Sequence, residues 1–273
     1  MAALITGQTK VFGIIGYPVA HSLSPAMHNA AFSAIGYPGV YVPFPVSKDL
    51  LAQAVVGLKA LGVGGVSVTV PHKVAVMDFL DTIDPLATRI GAVNTIVVRD
   101  GRLEGTNTDW LGAVRALEEA TDLKGKKAVV LGAGGAARAV VFGLLEAGSR
   151  VVVLNRTVAK AEALAEELGT EAGSLEDINR LSADILIQTT TVGMDEDRSP
   201  VPATVLSRFQ VVMDIVYSPL KTRLLREAEA AGCRIVDGLA MLVYQGAAQF
   251  ELWTGQRAPI EIMRQAALRA LRN

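Results

Sequence analysis

The residue types best suited to chemistry begin at a glycine turn. Gly132, Gly134 and Ala137 form G-x-G-x-x-A, with Ala133, Gly135 and Ala136 between them. The turn follows a β-rich run at 128–131 and opens a helical pattern at 136–147 that Gly148 closes. That is the setting a dinucleotide fingerprint requires. Gly132 permits the tight turn, Gly134 lets the backbone approach a pyrophosphate, and Ala137 lets helix and strand pack closely. The helix N-terminus adds unsatisfied N–H groups and the positive end of its dipole. A bare βα turn has similar glycines, so the end of the next strand must decide. An NAD site carries Asp or Glu about 20 residues on, accepting from the ribose 2′-OH. This chain has Asn155, Arg156 and Thr157 there, with Lys160 one helical turn later. No carboxylate is present to repel a 2′-phosphate and two cations can bind it, which selects NADP. A solvated helix start is the plainer reading of Arg156 and Lys160, but cations in a first turn oppose the helix dipole.

Three polar clusters lie upstream. Ser22 and Ser24, in His21-Ser22-Leu23-Ser24-Pro25, precede a helix expected to begin at Pro25. Ser24 could serve as its N-cap, which leaves Ser22 unexplained; together the two hydroxyls would cradle a carboxylate. The run 67–73 (SVTVPHK) ends a strand and delivers Thr69 and Lys73 to its carboxyl end, where α/β sheets bind ligands. Asn94 and Asp109 flank a hairpin marked by Asp100-Gly101. Asp109 is equally suited to capping the helix that follows.

Short β-rich runs alternate with helical patterns, which predicts α/β architecture with parallel sheets. Strands are expected at 11–15, 41–46, 66–70, 94–98 and 102–105, with helices from residue 25 and at 48–61 and 109–119. After the polar stretch 121–127, strands at 128–131, 151–154, 184–188, 211–215 and 234–236 alternate with helices at 136–147, 158–168 and 220–231. The region 239–271 is expected to be helical. The predicted domains are 1–108 plus 239–273 and 109–238. The first is an N-terminal α/β substrate domain on which C-terminal helices pack back, and the second a Rossmann-type doubly wound NADP-binding domain.

The bulk composition narrows the partners. The 273 residues are 51% hydrophobic and 19% charged with a formal net charge of −1, so a sizeable core can form and no basic footprint invites nucleic acid or an anionic membrane. A small-molecule substrate fits better. Cys233 is the only cysteine, so no intrachain disulfide forms, and the three histidines show no metal-ligand spacing. Residues 1–10 lack the features of a signal peptide, and every apolar stretch is interrupted before it could span a bilayer. The expectation is a cytoplasmic protein, with a homodimer left open.

Taken together, these motifs resemble the shikimate dehydrogenase family nearly end to end. The resemblance is carried by H-S-x-S-P-x-x-H-N at 21–29, V-T-V-P-x-K ending at Lys73, G-A-V-N-T at 91–95 and N-T-D at 107–109. It continues through G-A-G-G-A from Gly132, N-R-T from Asn155, D-I-V-Y-S-P at 214–219 and G-L-A-M-L-V-Y-Q at 238–245. It implies a reversible NADPH-linked reduction of 3-dehydroshikimate to shikimate, on the route to chorismate and the aromatic amino acids. It implies that Ser22 and Ser24 hold the ring carboxylate, and that Thr69, Asn94, Tyr217 and Gln245 position ring hydroxyls. Lys73 and Asp109 would be the catalytic pair, and Ile215 and Gly238 would meet the nicotinamide end of the cofactor. A carbonyl accepting hydride gains negative charge, which a nearby ammonium can stabilise while passing on a proton. Which of Lys73 and Asp109 transfers the proton stays open. The chain departs from the family pattern at Ser67, where Asn is common, and at Ala137, where Ser is common. It also departs at 188–191 (QTTT), where Asn-Ala-Thr-Ser or -Thr is usual ahead of Gly193-Met194. Two other readings share these motifs: a quinate/shikimate dehydrogenase with broader substrate or cofactor use, and a non-catalytic NADP-binding sensor.

Overall fold

The computed structural model describes residues 5–272, so residues 1–4 of the N-terminal segment weighed above, and residue 273, lie outside the described residues. The chain divides into two compact units, Met1–Thr108 with Gln245–Asn273, and Asp109–Tyr244.

The first unit contains β1 (Lys10–Gly16), α1 (Ser24–Ala34), β2 (Gly39–Pro45), α2 (Leu51–Ala60), β3 (Gly65–Val68), β4 (Thr82–Ile83), α3 (Pro85–Ile90), β5 (Thr95–Arg99) and β6 (Arg102–Thr106). Its sheet runs β2-β1-β3-β5-β6-β4. β1 pairs parallel with β2 and β3, whereas β5 is antiparallel to β3 and to β6. The sheet is therefore mixed rather than purely parallel. Asp100 and Gly101 both take positive φ, 50° and 72°, the backbone of a two-residue hairpin that reverses the chain and makes β5 and β6 antiparallel. The strand expected to reach residue 70 stops at Val68, because the His72 N–H bonds back to the Thr69 carbonyl at 2.9 Å and turns the chain.

The second unit contains α4 (Asp109–Glu118), β7 (Lys127–Leu131), α5 (Gly135–Glu146), β8 (Arg150–Asn155), α6 (Val158–Leu168), β9 (Glu171–Ser174), β10 (Ile185–Gln188), β11 (Val211–Asp214), α7 (Arg223–Ala230) and β12 (Arg234–Val236). Its sheet runs β12-β11-β10-β7-β8-β9 with every pairing parallel. Alternate residues serve opposite faces. Val130 joins one core with Val153, Ile187 and Met213, while Val129 and Leu131 join the other with Leu154, Leu186 and Val212. Burial on both faces explains why these strands read as unbroken apolar runs. The strand order reverses between β7 and β10, which places a topological switch point where the Gly132 turn leaves β7.

The chain closes with α8 (Gly238–Thr254) and α9 (Ile260–Ala270). The second division falls between Tyr244 and Gln245, inside α8, and not at the expected 238/239. Ala240, Met241 and Tyr244 belong to a core of the second unit, whereas Gln249 bonds to residues of β5 in the first. Within the first unit, α9 packs on α1 and the end of α8 supplies aromatic rings. Phe12 lies 5.1 Å from Phe32 and 5.5 Å from Trp253, and Phe32 lies 5.2 Å from Phe250, centroid to centroid. Trp253 Nε1 donates to the Ile96 carbonyl at 3.0 Å. Gly65 makes that approach feasible, because a Cβ there would stand 2.2 Å from Nε1.

His28 is buried inside this aromatic layer, stacked on Tyr41 at 4.5 Å. Neither ring nitrogen has a hydrogen-bond partner among the described residues. Burial holds its pKa down at about 3, against the usual 6.5. Between those two values the unfolded chain carries more protons than the folded one, so stability falls as pH drops through the window. His28→Leu removes this contribution. Thermal melts recorded from neutral pH down to about pH 4 should show the variant losing less Tm than the parent chain, with each pKa unit worth about 1.4 kcal/mol. Equal losses in the two proteins would contradict the assignment.

Candidate active site

Six of the residues singled out in the sequence fall in the first unit. The β1–α1 loop carries Ser22 and Ser24. The helix begins at Ser24 with Pro25 next, and its N-cap is Leu23 with no side-chain cap bond. Ser24 is thus a buried first-turn residue and not the cap that the local sequence suggests. Ser22 Oγ accepts from the Ser24 N–H at 3.3 Å, so the loop, not the helix, fixes the pair. Thr69 leaves β3 beside β1, and its N–H donates to the Ile15 carbonyl at 3.0 Å. Gly16 has no side chain to obstruct it; a Cβ there would sit 2.3 Å from the Thr69 methyl. Lys73 is half-buried in the turn after β3, and its carbonyl accepts from the Val93 N–H at 2.7 Å. That bond ties the lysine backbone to the segment leading into Asn94.

Asn94 is buried immediately before β5. Its Oδ1 accepts from the Thr108 N–H and from Thr95 Oγ1, both at 2.7 Å. Its Nδ2 donates to Thr108 Oγ1 at 3.0 Å and to Gln245 Oε1 at 3.2 Å. The structure therefore joins two predicted substrate residues, 151 positions apart in sequence, through a direct amide–amide bond.

The remaining predicted residues fall in the second unit. Gly132 takes φ of 116°, and a Cβ on it would stand 2.6 Å from Thr189 Oγ1. The position needs glycine on both counts. Gly134 is the N-cap of α5 in an extended conformation, and a Cβ on it would meet no atom within 4 Å. Ala133, Gly135 and Ala136 are partly exposed at the same turn, and Ala137 is fully buried under it. At the end of β8, Asn155 Nδ2 donates to the Thr157 carbonyl at 2.9 Å, which shapes the start of α6. Arg156 and Lys160 are exposed, and neither forms an ion pair among the described residues. The departing QTTT segment is held by its own first residue. Gln188 Nε2 donates to Thr190 Oγ1 at 2.9 Å and to the Val192 carbonyl at 3.1 Å, which gives the loop a defined shape despite its unusual sequence.

Ile215 and Tyr217 follow β11, and Gly238 opens α8. A Cβ on Gly238 would lie 2.3 Å from the Ile215 carbonyl oxygen, so this glycine lets the two segments touch. Asp109 is buried as the first residue of α4, where a carboxylate suits the helix dipole. One residue of consequence appeared in the sequence only as the start of the D-I-V-Y-S-P motif and was given no role. Asp214 is fully buried at the end of β11, with Oδ1 accepting from the Val216 N–H at 3.0 Å and Oδ2 from Thr222 Oγ1 at 2.8 Å. Thr222 in turn caps α7 through the Leu225 N–H. The aspartate thus pins both ends of the loop that carries Ile215 and Tyr217, and burial raises its carboxyl to about 6. A lone Asp at a strand end gives no sequence signal for such a clasp.

Among the described residues no group of three or more His, Cys, Asp or Glu could hold a metal ion, and no helix is long and apolar enough to cross a membrane. The two glycines of the turn make a matched pair for testing its geometry. Gly132→Ala should lower stability by about 1–3 kcal/mol through strain at positive φ, while Gly134→Ala should leave Tm essentially unchanged. Equal melting temperatures for the two variants would show that the turn is not built as described.

Comparison with known proteins gives this geometry a context. Family models match in three places: the Shikimate dehydrogenase substrate binding domain at residues 14–96, Shikimate / quinate 5-dehydrogenase at 115–194, and the Shikimate 5'-dehydrogenase C-terminal domain at 238–268. The chain is 52% identical over 268 residues to the NADP(+) shikimate dehydrogenase of Thermococcus kodakarensis, covering 97% of this chain and 98% of that protein. It is 51% identical to the corresponding enzyme of Methanothermobacter thermautotrophicus over 98% of this chain and 99% of that one. Among solved structures, shikimate 5-dehydrogenase of Thermus thermophilus, in complex with NADP(H) and shikimate, superimposes with a TM-score of 0.91 at 44% identity, covering 96% of this chain and all of the other. On both its fold and its full-length sequence, the chain belongs to the shikimate dehydrogenase family.

Proposed function

We propose that this chain is an NADP-dependent shikimate dehydrogenase that interconverts shikimate and 3-dehydroshikimate. The observation that carries the reading is the full-length likeness to NADP(+) shikimate dehydrogenases, which extends across both units. The second unit fits the cofactor. Its turn has a glycine at positive φ and open space above Gly134, and the end of β8 offers Arg156 and Lys160 with no neighbouring carboxylate partner. Those cations suit the 2′-phosphate that distinguishes NADP from NAD. When bound, the reduced cofactor supplies the hydride equivalent that the carbonyl carbon receives.

The chain's own residues do the rest. Ser22 and Ser24 take the ring carboxylate, and Thr69, Asn94, Tyr217 and Gln245 take ring hydroxyls. Their hydrogen bonds orient the ring so that one carbon alone presents itself for reaction. Lys73 supplies a positive charge for the oxygen that becomes alkoxide-like, and Lys73 and Asp109 between them carry the proton step. Ile215 and Gly238 form a contact surface for the nicotinamide end. A cytoplasmic location and a homodimeric assembly complete the proposal.

Two substitutions test these assignments separately. Lys73→Ala should lower kcat for shikimate oxidation by roughly 10²–10⁴-fold with little change in NADP+ affinity; near-normal turnover would remove Lys73 from the mechanism. Arg156→Ala should raise KM for NADP+ by about 10-fold or more, since a charge-assisted contact is worth ~1.5–3 kcal/mol, and leave KM for NAD+ nearly unchanged. An equal rise for both cofactors would show that Arg156 does not read the 2′-phosphate.

A further inference from the structure

The hydrogen bonds around Asn94 do not end at Gln245. Gln249 lies one helical turn further along α8, on the same face, and is almost completely buried. We propose that Gln249 is a positioning residue that fixes which way the amides of Asn94 and Gln245 face. The inference rests on the reading above, in which those two amides meet the ring hydroxyls.

Each bond in this cluster has a defined direction. Tyr41 Oη donates to Ser67 Oγ at 2.6 Å, and Ser67 Oγ spends its single proton on Gln249 Oε1 at 2.7 Å. With its oxygen end so engaged, Gln249 presents Nε2 to β5, donating to the Asn94 carbonyl at 3.1 Å and to Thr95 Oγ1 at 3.0 Å. Thr95, accepting there, directs its own proton to Asn94 Oδ1 at 2.7 Å. The oxygen end of Asn94 is fixed by that bond and by the Thr108 N–H, so its Nδ2 end faces Gln245 Oε1. Gln245 in turn has its oxygen directed at Asn94 and its Nε2 turned the other way. A donor–acceptor order set at Tyr41 thus runs through Ser67, Gln249 and Thr95 to the substrate residues Asn94 and Gln245.

Anchorage of α8 alone does not account for this arrangement. Trp253 Nε1 already bonds the Ile96 carbonyl at 3.0 Å and holds the same helix to the same strand. An apolar residue at 249 would fill the same space but leave the buried Ser67 hydroxyl without its acceptor and Thr95 Oγ1 without this donor. The amide is the feature that transmits orientation.

The test uses the full-length enzyme with shikimate and NADP+. Gln249→Met keeps length and removes the relay, and Thr95→Val removes its middle hydroxyl without changing shape. Each should raise KM for shikimate by about 5- to 20-fold, with kcat and KM for NADP+ within ~2-fold of the parent. The double variant should be no worse than the poorer single one, because both break one chain. Thr95→Ser, which keeps the hydroxyl, should restore the parental KM. Should Gln249→Met fail to fold, the Thr95→Val and Thr95→Ser pair decides on the same readout. A lowered Tm with unchanged KM for shikimate, or additive effects in the double variant, would overturn the proposal and leave Gln249 as packing. Failure of the parent chain to oxidise shikimate would instead overturn the functional reading, and this inference with it.

Discussion

A buried amide must satisfy its oxygen and its nitrogen inside the protein, and that constraint organises the first unit around Asn94. Left unpaired, such a group costs about 1–3 kcal/mol. Here Thr95, Thr108 and Gln245 all bond to its side chain. Those partners come from β5, from the residue preceding α4 and from α8, so the amide holds together segments that are remote in sequence. Gly65 and Trp253 bring α8 close enough to the sheet for the bonds to form. On the proposed reading, a substrate hydroxyl would meet side chains already held in one orientation. That preorganisation is what a site for a small polyhydroxylated acid requires.

The second unit solves a different problem by removing side chains. Positive φ at Gly132 lets β7 turn straight into α5, and Gly238 lets the start of α8 lie against the Ile215 backbone. The buried carboxylate of Asp214 then clasps the loop that these close approaches define. On the proposed reading, the helix N-terminus at Gly134 and the exposed Arg156 and Lys160 suit a ligand that is mostly phosphate. One unit thus orders side-chain amides and hydroxyls, and the other orders backbone.

Much of this was legible in the sequence. α6 and β12 begin and end where the apolar pattern places them, because period and capping residues agree there. The hairpin at Asp100-Gly101 was equally clear, since both residues accept positive φ. The short elements β4, α3 and β9 were missed: two- to six-residue segments carry too few apolar positions to show a period. Ser24, which could have capped α1, instead lies in its first turn, because the loop closes through Ser22. The role of Asp214, named only as the start of a motif, and Gln249 itself went unread for a related reason. Their roles depend on partners eight and 154 or more residues away, and no local pattern announces a buried polar side chain whose partners come from other elements.

On the proposed reading, the amide-lined first unit selects shikimate and the cation-bearing second unit selects NADP. Steady-state kinetics of the purified chain with shikimate and with quinate, each paired with NADP+ and with NAD+, tests both halves at once. The expected result is the highest kcat/KM for shikimate with NADP+, with a clear loss on changing either partner. Equal efficiency for quinate with NAD+, or no reduced cofactor formed from shikimate at all, would contradict it.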